Sequence, residues 1–594
     1  MAGFCGIIGS QVRLDFNSLS NSIDLLNNHH HQSFYGKDYY CEVSFREIDP
    51  LKGARFYEDD ETIALFHGDF IDHDEVPWPT IIDNYKGKKF SFFSSLSGFF
   101  SFCFLNKINS AVTLVSDRRA QDPLFYYKKN NEFIFSTDIS TFCRLFEAEF
   151  NEEWLYEYYF FNFPVSDNTP IKDVFRLGYA EVLLYSKDHL RIKKYAELYK
   201  PREPLTSGAE SLERANRVFK DRVPAYFKGA ENIGCALTSG WDTRTSLAYA
   251  PDLEKVTTYT YGIPGCKDLV LASNFAKKMK INNKQIHLDE GFVKKIPYHM
   301  LRSVYLSSGM NHVGRSSLSY TYSKLHQDYG FPLIISGIQF DQMFRGHAVV
   351  PSMVSYGLRN LIEKRNIDYQ SDGFKKLAEY EATLYRKNEE LVSRMGNFSS
   401  TYMHLLFHVY VSASTLFAGE MKIADHFYTS RVPAWDNDIL SLAFSMKEST
   451  LSFSQFSDHK IGHWPEMLLQ SYLLKKANPK FAKIPVGNIT PTWVLKGRIP
   501  FKMNNYYNAV MNRMKFPGLR RIPSEDNEYW MNNVHRDFID KLIFSKTSMI
   551  KEYFDNEYLS KLQKTRDKHF IMKILTVEMT LRLIRNKWTD ENII

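Results

Sequence analysis

The stretch Leu237–Arg244, with the sequence LTSGWDTR, contains the residue types that bind phosphate groups. The apolar run NIGCA before it predicts a strand, and the residues after it predict a helix. Backbone N–H groups and hydroxyls would then converge beside the first turn of a helix, a geometry that holds pyrophosphate. The carboxylate of Asp242 beside phosphates makes chemical sense if it binds Mg²⁺. The octapeptide fits equally a plain turn in which Asp242 caps the helix.

The bulk composition is that of an ordinary globular protein. The chain has 594 residues, of which 44% are hydrophobic and 24% are charged. That length predicts two or three domains. The net charge is +7, from 75 basic and 68 acidic residues, and no basic block stands out. Composition therefore predicts no nucleic-acid partner.

The cysteines and the N-terminus predict a reducing compartment. The cysteines are scattered singly and without CxxC spacing, at Cys5, Cys41, Cys103, Cys143, Cys235 and Cys266. They are typical of reduced thiols rather than of zinc or disulfide sites. The first residues lack a basic segment followed by an apolar one, and no later window approaches a spanning segment. We expect a cytoplasmic protein without a membrane partner.

The pattern of apolar residues divides the chain into four parts. Residues 1–195 contain short alternating runs such as TIALFHGDF and GFFSFCFL, which predict stacked antiparallel sheets. Residues 196–212 are rich in Pro, Ser and Thr and are the predicted linker. Residues 213–445 alternate strands with helices, which predicts a doubly wound parallel sheet. Residues 446–594 have helical periodicity. The predicted class is therefore a multidomain α/β protein.

Seven short segments, taken in order, resemble the asparagine synthetase family. In the second half they are TSGWDT, YTYGIPG with Asp268, ISGIQFDQ with Arg345-Gly346-His347, and RVPAWD from Arg431. In the first half they are LSGFFSF, SDRR through PLFY, and FSTD. Each is weak alone, but their order and spacing make coincidence improbable. β-Lactam synthetases and lasso-peptide cyclases are related members.

The resemblance implies a fold and a set of ATP-binding residues. Residues 1–195 would form a class II glutamine amidotransferase domain of the Ntn-hydrolase αββα type, and residues 213–445 an ATP pyrophosphatase domain of the PP-loop type. By similarity the pyrophosphate would contact Thr238, Ser239, Gly240 and Thr243. The adenosine part would contact Leu237, Tyr261, Ser336 and Gly337. Asp242 and Asp341 would share Mg²⁺, because two carboxylates and phosphate oxygens suit a hard cation.

Three basic residues are further candidates at the synthetase site. Arg244, one turn into the predicted helix, would contact the phosphates or an acidic substrate, and the alternative is a solvated helix residue. Arg315 falls in a segment that contacts substrate or phosphate in the family. Lys483 is the candidate for the lysine that stabilises the adenylation transition state, with a surface lysine as the alternative.

The first half departs from a working glutaminase. Family members use an N-terminal cysteine whose own amine activates the thiol, but four residues precede Cys5. His67 of the His67-Gly68 pair stands where the family has an oxyanion-stabilising asparagine, and Ser44 where it has a substrate-binding arginine. We therefore expect a degenerate, mainly structural domain.

The synthetase site departs from the family at two positions. Ile338 replaces a glutamate of asparagine synthetases or a tyrosine of β-lactam synthetases, and it cannot take a proton. Gln342 replaces an acid. These departures argue against asparagine synthesis while leaving the phosphate and metal contacts in place.

The expected function is an ATP-dependent, amide-forming ligase. It would activate a carboxylate as an acyl-adenylate with ATP and Mg²⁺, and an amine would then attack. The acid would be a small molecule or a peptide of specialised or cell-surface metabolism, and the amine donor glutamine or ammonia. Alternatives are an intramolecular lactam synthetase, a nucleotide-binding pseudoenzyme and a tRNA-thiolating enzyme. The oligomeric state is left open.

Overall fold

The structure is a computed structural model of the whole chain. It describes residues 3–9, 19, 22–26, 29–161, 163–197, 199, 208–344, 386, 389–390, 393, 405–446, 467–515 and 522–590. The motif Arg345-Gly346-His347 lies outside the described residues.

Two antiparallel sheets form the first part of the described chain. Their strands are Gly3–Ile8 (β1), His30–Tyr35 (β2), Tyr39–Phe45 (β3), Phe56–Glu58 (β4), Thr62–Phe70 (β5), Gly98–Asn106 (β6), Val112–Ser116 (β7), Phe125–Lys129 (β8), Glu132–Ser136 (β9), Val174–Arg176 (β10), Glu181–Ser186 (β11) and His189–Lys194 (β12). One sheet has the order β10-β8-β9-β1-β3-β2, and the other β12-β11-β7-β6-β5-β4.

The alternation of side chains along these strands explains why the sheets stack. In β6, Cys103 and Leu105 face the first sheet, whereas Phe102 and Phe104 point to the opposite side. The helix Trp78–Lys86 (α1) packs on this outer aromatic face. The outer face of the first sheet packs against the helix Glu152–Phe161 (α3), which follows the short helix Ser140–Leu145 (α2). The layers are therefore α, β, β and α, as a strand period of two requires.

A parallel sheet follows. Its strands are Ile233–Ala236 (β13), Val256–Gly262 (β14), Asn282–His287 (β15), Leu333–Ile335 (β16) and Thr429–Arg431 (β17). Their order is β15-β14-β13-β16-β17, with every pair parallel. The carboxyl ends of parallel strands meet at one edge, so the turns after β13, β14 and β16 come together there.

Helices surround this sheet and make up the rest of the described chain. Those up to the last strand are Gly208–Arg222 (α4), Asp242–Ala248 (α5), Lys267–Met279 (α6), Glu290–Leu306 (α7), Ser316–Tyr329 (α8), Phe340–Phe344 (α9), the π-helix His408–Phe417 and Ala418–Asp425 (α10). Those after it are Asn437–Ala443 (α11), Leu468–Ala477 (α12), Pro491–Val494 (α13), Arg498–Lys515 (α14), Asn527–Tyr529 (α15), Arg536–Ile543 (α16), Asn556–Thr565 (α17) and Lys568–Arg585 (α18). Short 3₁₀ segments lie at Phe90–Ser95, Val223–Phe227, Val313–Arg315, Pro433–Trp435, Phe481–Lys483 and Met549–Glu552, and a short π-helical turn at Trp530–Val534.

The predicted fold class is confirmed. Stacked antiparallel sheets precede a parallel sheet with helices, and a helical region ends the described chain. The strongly periodic segment FIMKILTVEMTLRLIR lies within α18. Within the predicted linker 196–212, α4 already begins at Gly208, and the division into domains stays a prediction. None of the described helices is both long enough and apolar enough to cross a bilayer.

A buried ion pair joins the two halves. Arg431 at the end of β17 contacts Asp69 of β5, with Nε–Oδ2 at 2.6 Å and Nη2–Oδ1 at 3.2 Å. The two side chains are 3% and 0% exposed. Arg431 also donates to the carbonyl oxygens of Tyr226 and Lys228. The parallel sheet is thereby fixed to the antiparallel sheets at a point that water does not reach.

We predict that Arg431→Met lowers the free energy of unfolding by about 3–5 kcal/mol, because it leaves the Asp69 carboxylate buried without its partner. Urea denaturation followed by circular dichroism measures the change. The matched control is Lys172→Met, which breaks an ion pair with Glu149 between side chains 57% and 71% exposed. A similar midpoint shift for both variants would contradict the prediction.

Candidate functional site

The turn after β13 is anchored at both ends and open between them. Leu237 and Trp241 are buried, whereas Thr238 is exposed and Ser239 and Gly240 are half-buried. The Leu237 N–H donates to the Tyr259 carbonyl at 2.8 Å, which continues the strand pairing into the turn. A Cβ placed at Gly240 would meet only Thr238 Oγ1 within 4 Å, and the Gly240 N–H donates to that oxygen at 3.0 Å.

Asp242 is the first residue of α5 rather than its cap. The N-cap is Trp241, whose side chain makes no capping bond. One carboxylate oxygen of Asp242 instead accepts a hydrogen bond from Gln470 Nε2 of α12, at 2.9 Å. Asp242 is therefore not the N-cap residue, and phosphate binding by this turn stays a prediction. The carboxylate is oriented by a residue more than two hundred positions away, which sequence reasoning missed.

The turn after β16 packs directly on α5. A Cβ at Gly337 would lie 2.5 Å from Thr243 Oγ1 and 2.7 Å from the Thr243 backbone nitrogen, so only glycine fits. Asp341 follows in the first turn of α9 and is half-buried. This contact places the turns that carry Asp242 and Asp341 side by side at the carboxyl edge of the sheet.

Gln339, in the turn after β16, holds that turn in shape through hydrogen bonds to segments outside it. Its φ is +65°, a left-handed conformation that is uncommon for residues other than glycine. Its Nε2 donates to the His408 carbonyl at 3.2 Å and to Ser412 Oγ at 3.3 Å, both in the π-helix. Its Oε1 accepts a bond from Trp435 Nε1. No sequence motif predicts this role for a glutamine.

Asp268 reaches the turn after β13 from α6. Its carboxylate accepts bonds from the Ser239 N–H at 3.0 Å and from Ser524 Oγ at 2.7 Å. Burial alone would raise the pKa of Asp268, but these two donors outweigh it and lower the pKa. The Ser239 amide thus already faces a carboxylate oxygen, as an anion-binding amide would.

Arg244 is buried, so the solvated alternative is wrong. The side chain is 1% exposed. Its guanidinium lies 4.2 Å from the centre of the Phe275 ring and donates to the Pro485 carbonyl at 2.7 Å. Burial lowers the pKa of Arg244 to about 9. These neighbours favour a packing role for Arg244. Its predicted contact with phosphate or an acidic substrate stays untested.

Lys483 and Arg315 lie in different surroundings. Lys483 is exposed at the end of its 3₁₀ segment, and its catalytic role stays a prediction. Arg315 pairs with Glu420 of α10, with Nη2–Oε1 at 2.6 Å, and also interacts electrostatically with Tyr261 and Glu525. Burial raises the pKa of Glu420, and Arg315 partly offsets the rise. Arg315 therefore lies among charged groups around the half-buried Tyr261 at the end of β14.

The candidate glutaminase residues do not form a nucleophilic site among the described contacts. Cys5 is fully buried within β1, and burial, followed by Glu42, raises the pKa of its thiol well above the usual value. A catalytic cysteine needs the thiolate, which this environment disfavours. His67 Nδ1 lies 2.8 Å from Asp122. Gly68 serves the fold, because a Cβ there would lie 2.2 Å from the Phe99 carbonyl oxygen.

Comparison with known proteins gives this architecture a family context. Residues 80–196 match a family model described as a glutamine amidotransferase domain. Two proteins of Methanocaldococcus jannaschii, named "Putative asparagine synthetase" (glutamine-hydrolyzing) 2 and 1, are 24% identical over 196 residues and 23% identical over 274 residues. The chain is asparagine synthetase-like. The matches cover 32% and 45% of this asparagine synthetase-like chain, and 38% and 47% of the relatives, so the chain spans less than half the length of either.

A solved structure is also similar in part. An NH₃-dependent NAD synthetase from Campylobacter jejuni is 16% identical to the asparagine synthetase-like chain, covering 34% of this chain and 91% of its own, with a TM-score of 0.17.

We predict that Cys5 resists alkylation in the folded protein, since its thiol is buried and protonated. Iodoacetamide at pH 8, followed by peptide mass spectrometry, should modify Cys5 only after denaturation. A cysteine introduced by Ser95→Cys, at an exposed position, is the positive control and should react in the native state. Rapid native modification of Cys5 would show that the site opens to solvent.

Proposed function

We propose that the chain is an ATP-dependent, amide-forming ligase that activates a carboxylate as an acyl-adenylate. The observation that carries this proposal is the contact of Gly337 with Thr243, which brings the open turn after β13 beside the Asp341 turn. Backbone amides and hydroxyls at the start of a helix, next to two carboxylates, form a set suited to a nucleotide with its metal ion.

The ATP site is proposed residue by residue from the same edge. Thr238, Ser239, Gly240 and Thr243 would bind the pyrophosphate. Leu237, Tyr261, Ser336 and Gly337 would contact the adenosine part. Thr238 is exposed, and the Ser239 N–H donates to an anionic oxygen, here of the Asp268 carboxylate, and both features support this arrangement. A phosphate oxygen would take the place of that carboxylate oxygen.

Asp242 and Asp341 fit a magnesium ion by the chemistry of their donors. Both are half-buried carboxylates on adjoining turns, and a hard cation takes oxygen ligands. When bound, Mg²⁺ would neutralise charge that develops on the departing pyrophosphate. Gln470 would hold the Asp242 carboxylate in position.

The proposed reaction has two steps, adenylation and amide formation. A substrate carboxylate oxygen attacks the α-phosphorus of ATP, and the bond to pyrophosphate breaks. The amine then attacks the acyl carbon, the bond to AMP breaks, and the amine gives up a proton. Ile338 cannot accept that proton. Of the described carboxylates, Glu420 and Glu525 interact electrostatically with Tyr261. We assign the proton to Glu420, because burial raises the pKa of this carboxyl and makes it the stronger base.

The amine is proposed to come from ammonia or from an amine substrate rather than from glutamine hydrolysed by this chain. The buried, protonated Cys5 supports this choice. The acid is proposed to be a small molecule or a peptide of specialised or cell-surface metabolism. An intramolecular lactam synthetase and a nucleotide-binding pseudoenzyme are the alternatives that the following experiments separate.

Asp242→Asn is expected to lower carboxylate-dependent pyrophosphate release from ATP by about 100-fold, because the variant loses the charge that binds the metal. The assay uses Mg-ATP with a panel of carboxylic acids, with and without ammonium. Asp252→Asn, at an exposed turn of the same region, is the control and should retain the wild-type rate. Nucleotide binding without release for any acid by the wild type would identify a pseudoenzyme.

Glu420→Gln is expected to separate the two steps. Amide formation should fall by about 100-fold, while acid-dependent ATP–pyrophosphate exchange continues, because proton removal belongs to the second step. Glu525→Gln is the matched variant and should retain amide formation. Loss of exchange in Glu420→Gln would instead show that Glu420 serves the first step or the packing of Arg315.

A further inference from the structure

The helix α14, Arg498–Lys515, presents an apolar stripe to solvent. Ile499 is 73% exposed, Met503 65%, Tyr506 76% and Met514 72%, and Val510 between them is also exposed. Spacings of three and four residues place these side chains on one face at about 3.6 residues per turn. Exposed apolar side chains that form a continuous stripe mark an interaction surface.

The opposite face of α14 packs on the protein through the buried Phe501 and through a row of asparagines. Asn508 Nδ2 donates to the Asn488 carbonyl at 3.0 Å, and Asn512 Nδ2 donates to Asn488 Oδ1 at 3.0 Å. Asn504 Oδ1 accepts from the Thr490 N–H at 2.9 Å. A surface helix ordinarily buries its apolar face and exposes its polar one. α14 does the reverse along this asparagine row, so its outward residues do not stabilise the chain that carries them.

The charge of α14 is entirely positive. Its eighteen residues include Arg498, Lys502, Arg513 and Lys515 and no aspartate or glutamate. Counting about 100° per residue, Arg498, Lys502 and Arg513 line one border of the apolar stripe. Just before the helix, Trp493 is partly exposed and Lys496 Nζ lies 4.3 Å from its ring centre. An apolar centre with basic and aromatic borders is the pattern of helices that lie in a membrane interface.

We propose that α14 docks the chain on the surface of an anionic phospholipid bilayer, with its apolar stripe among the acyl chains and its basic border at the headgroups. A second copy is a poorer occupant, because a symmetric contact through α14 would bring the same positive charges together. The helix also lies outside the class that can span a bilayer, so it would lie in the plane of the surface. This proposal differs from the expectation of no membrane partner and does not depend on the ligase assignment.

The test is sedimentation of the full chain with vesicles of phosphatidylcholine alone or of phosphatidylcholine mixed with phosphatidylglycerol. Wild-type protein should bind the mixed vesicles and be released as salt rises. Ile499→Glu should weaken binding by at least about tenfold, since one of the most exposed apolar side chains of the stripe is replaced by a charge. The matched control is Ile108→Glu, at an isoleucine 74% exposed on the first part of the chain, which should bind as wild type does.

Both isoleucines are exposed, so thermal melting should show both variants folded. Failure of wild type to bind mixed vesicles, or equal binding to both compositions, overturns the proposal. Equal binding of the Ile499→Glu and Ile108→Glu variants overturns it as well. A concentration-dependent dimer that Ile499→Glu abolishes, without vesicle binding, would assign the stripe to a second copy of the chain.

Discussion

The close approach of Gly337 to the first turn of α5 is the constraint on which the candidate site depends. A Cβ added at position 337 would lie 2.5 Å from Thr243 Oγ1 and 2.7 Å from the Thr243 backbone nitrogen. Because there is no room for a side chain at position 337, the spacing of the two turns has little tolerance. The distance between the two turns therefore limits how far apart the carboxylates of Asp242 and Asp341 can lie.

The antiparallel domain contributes to this site through attachment rather than through its own chemistry. Arg431 leaves the end of β17, next to β16, and reaches Asp69 in the middle of the other half. The outer face of the first antiparallel sheet shares one apolar core with the parallel sheet and its helices. The described contacts between the first half and this site are therefore structural, and Cys5 within that half is buried.

Much of the fold could be predicted from local pattern, and less of the site. The period-two runs and the strand–turn–helix order are local signals, and they located both kinds of sheet and the turn at Leu237–Arg244. The burial of Arg244 depends on Phe275 and Pro485, which only the tertiary structure brings near. The partner of Asp242, Gln470, comes from α12 and carries no motif. Residues that orient a site from a distant part of the chain belong to no motif of fixed spacing, so the sequence does not reveal them.

The left-handed turn at Gln339 has a consequence for substitutions at the positions that flank it. The positive φ at Gln339 is held by hydrogen bonds to the π-helix and to Trp435, whereas Gly337 in the same turn allows the close packing on α5. The flanking residues Ile338 and Gln342 therefore do not have to hold the turn in this shape. Neither position has a positive φ, so a change of side chain there need not alter the course of the turn.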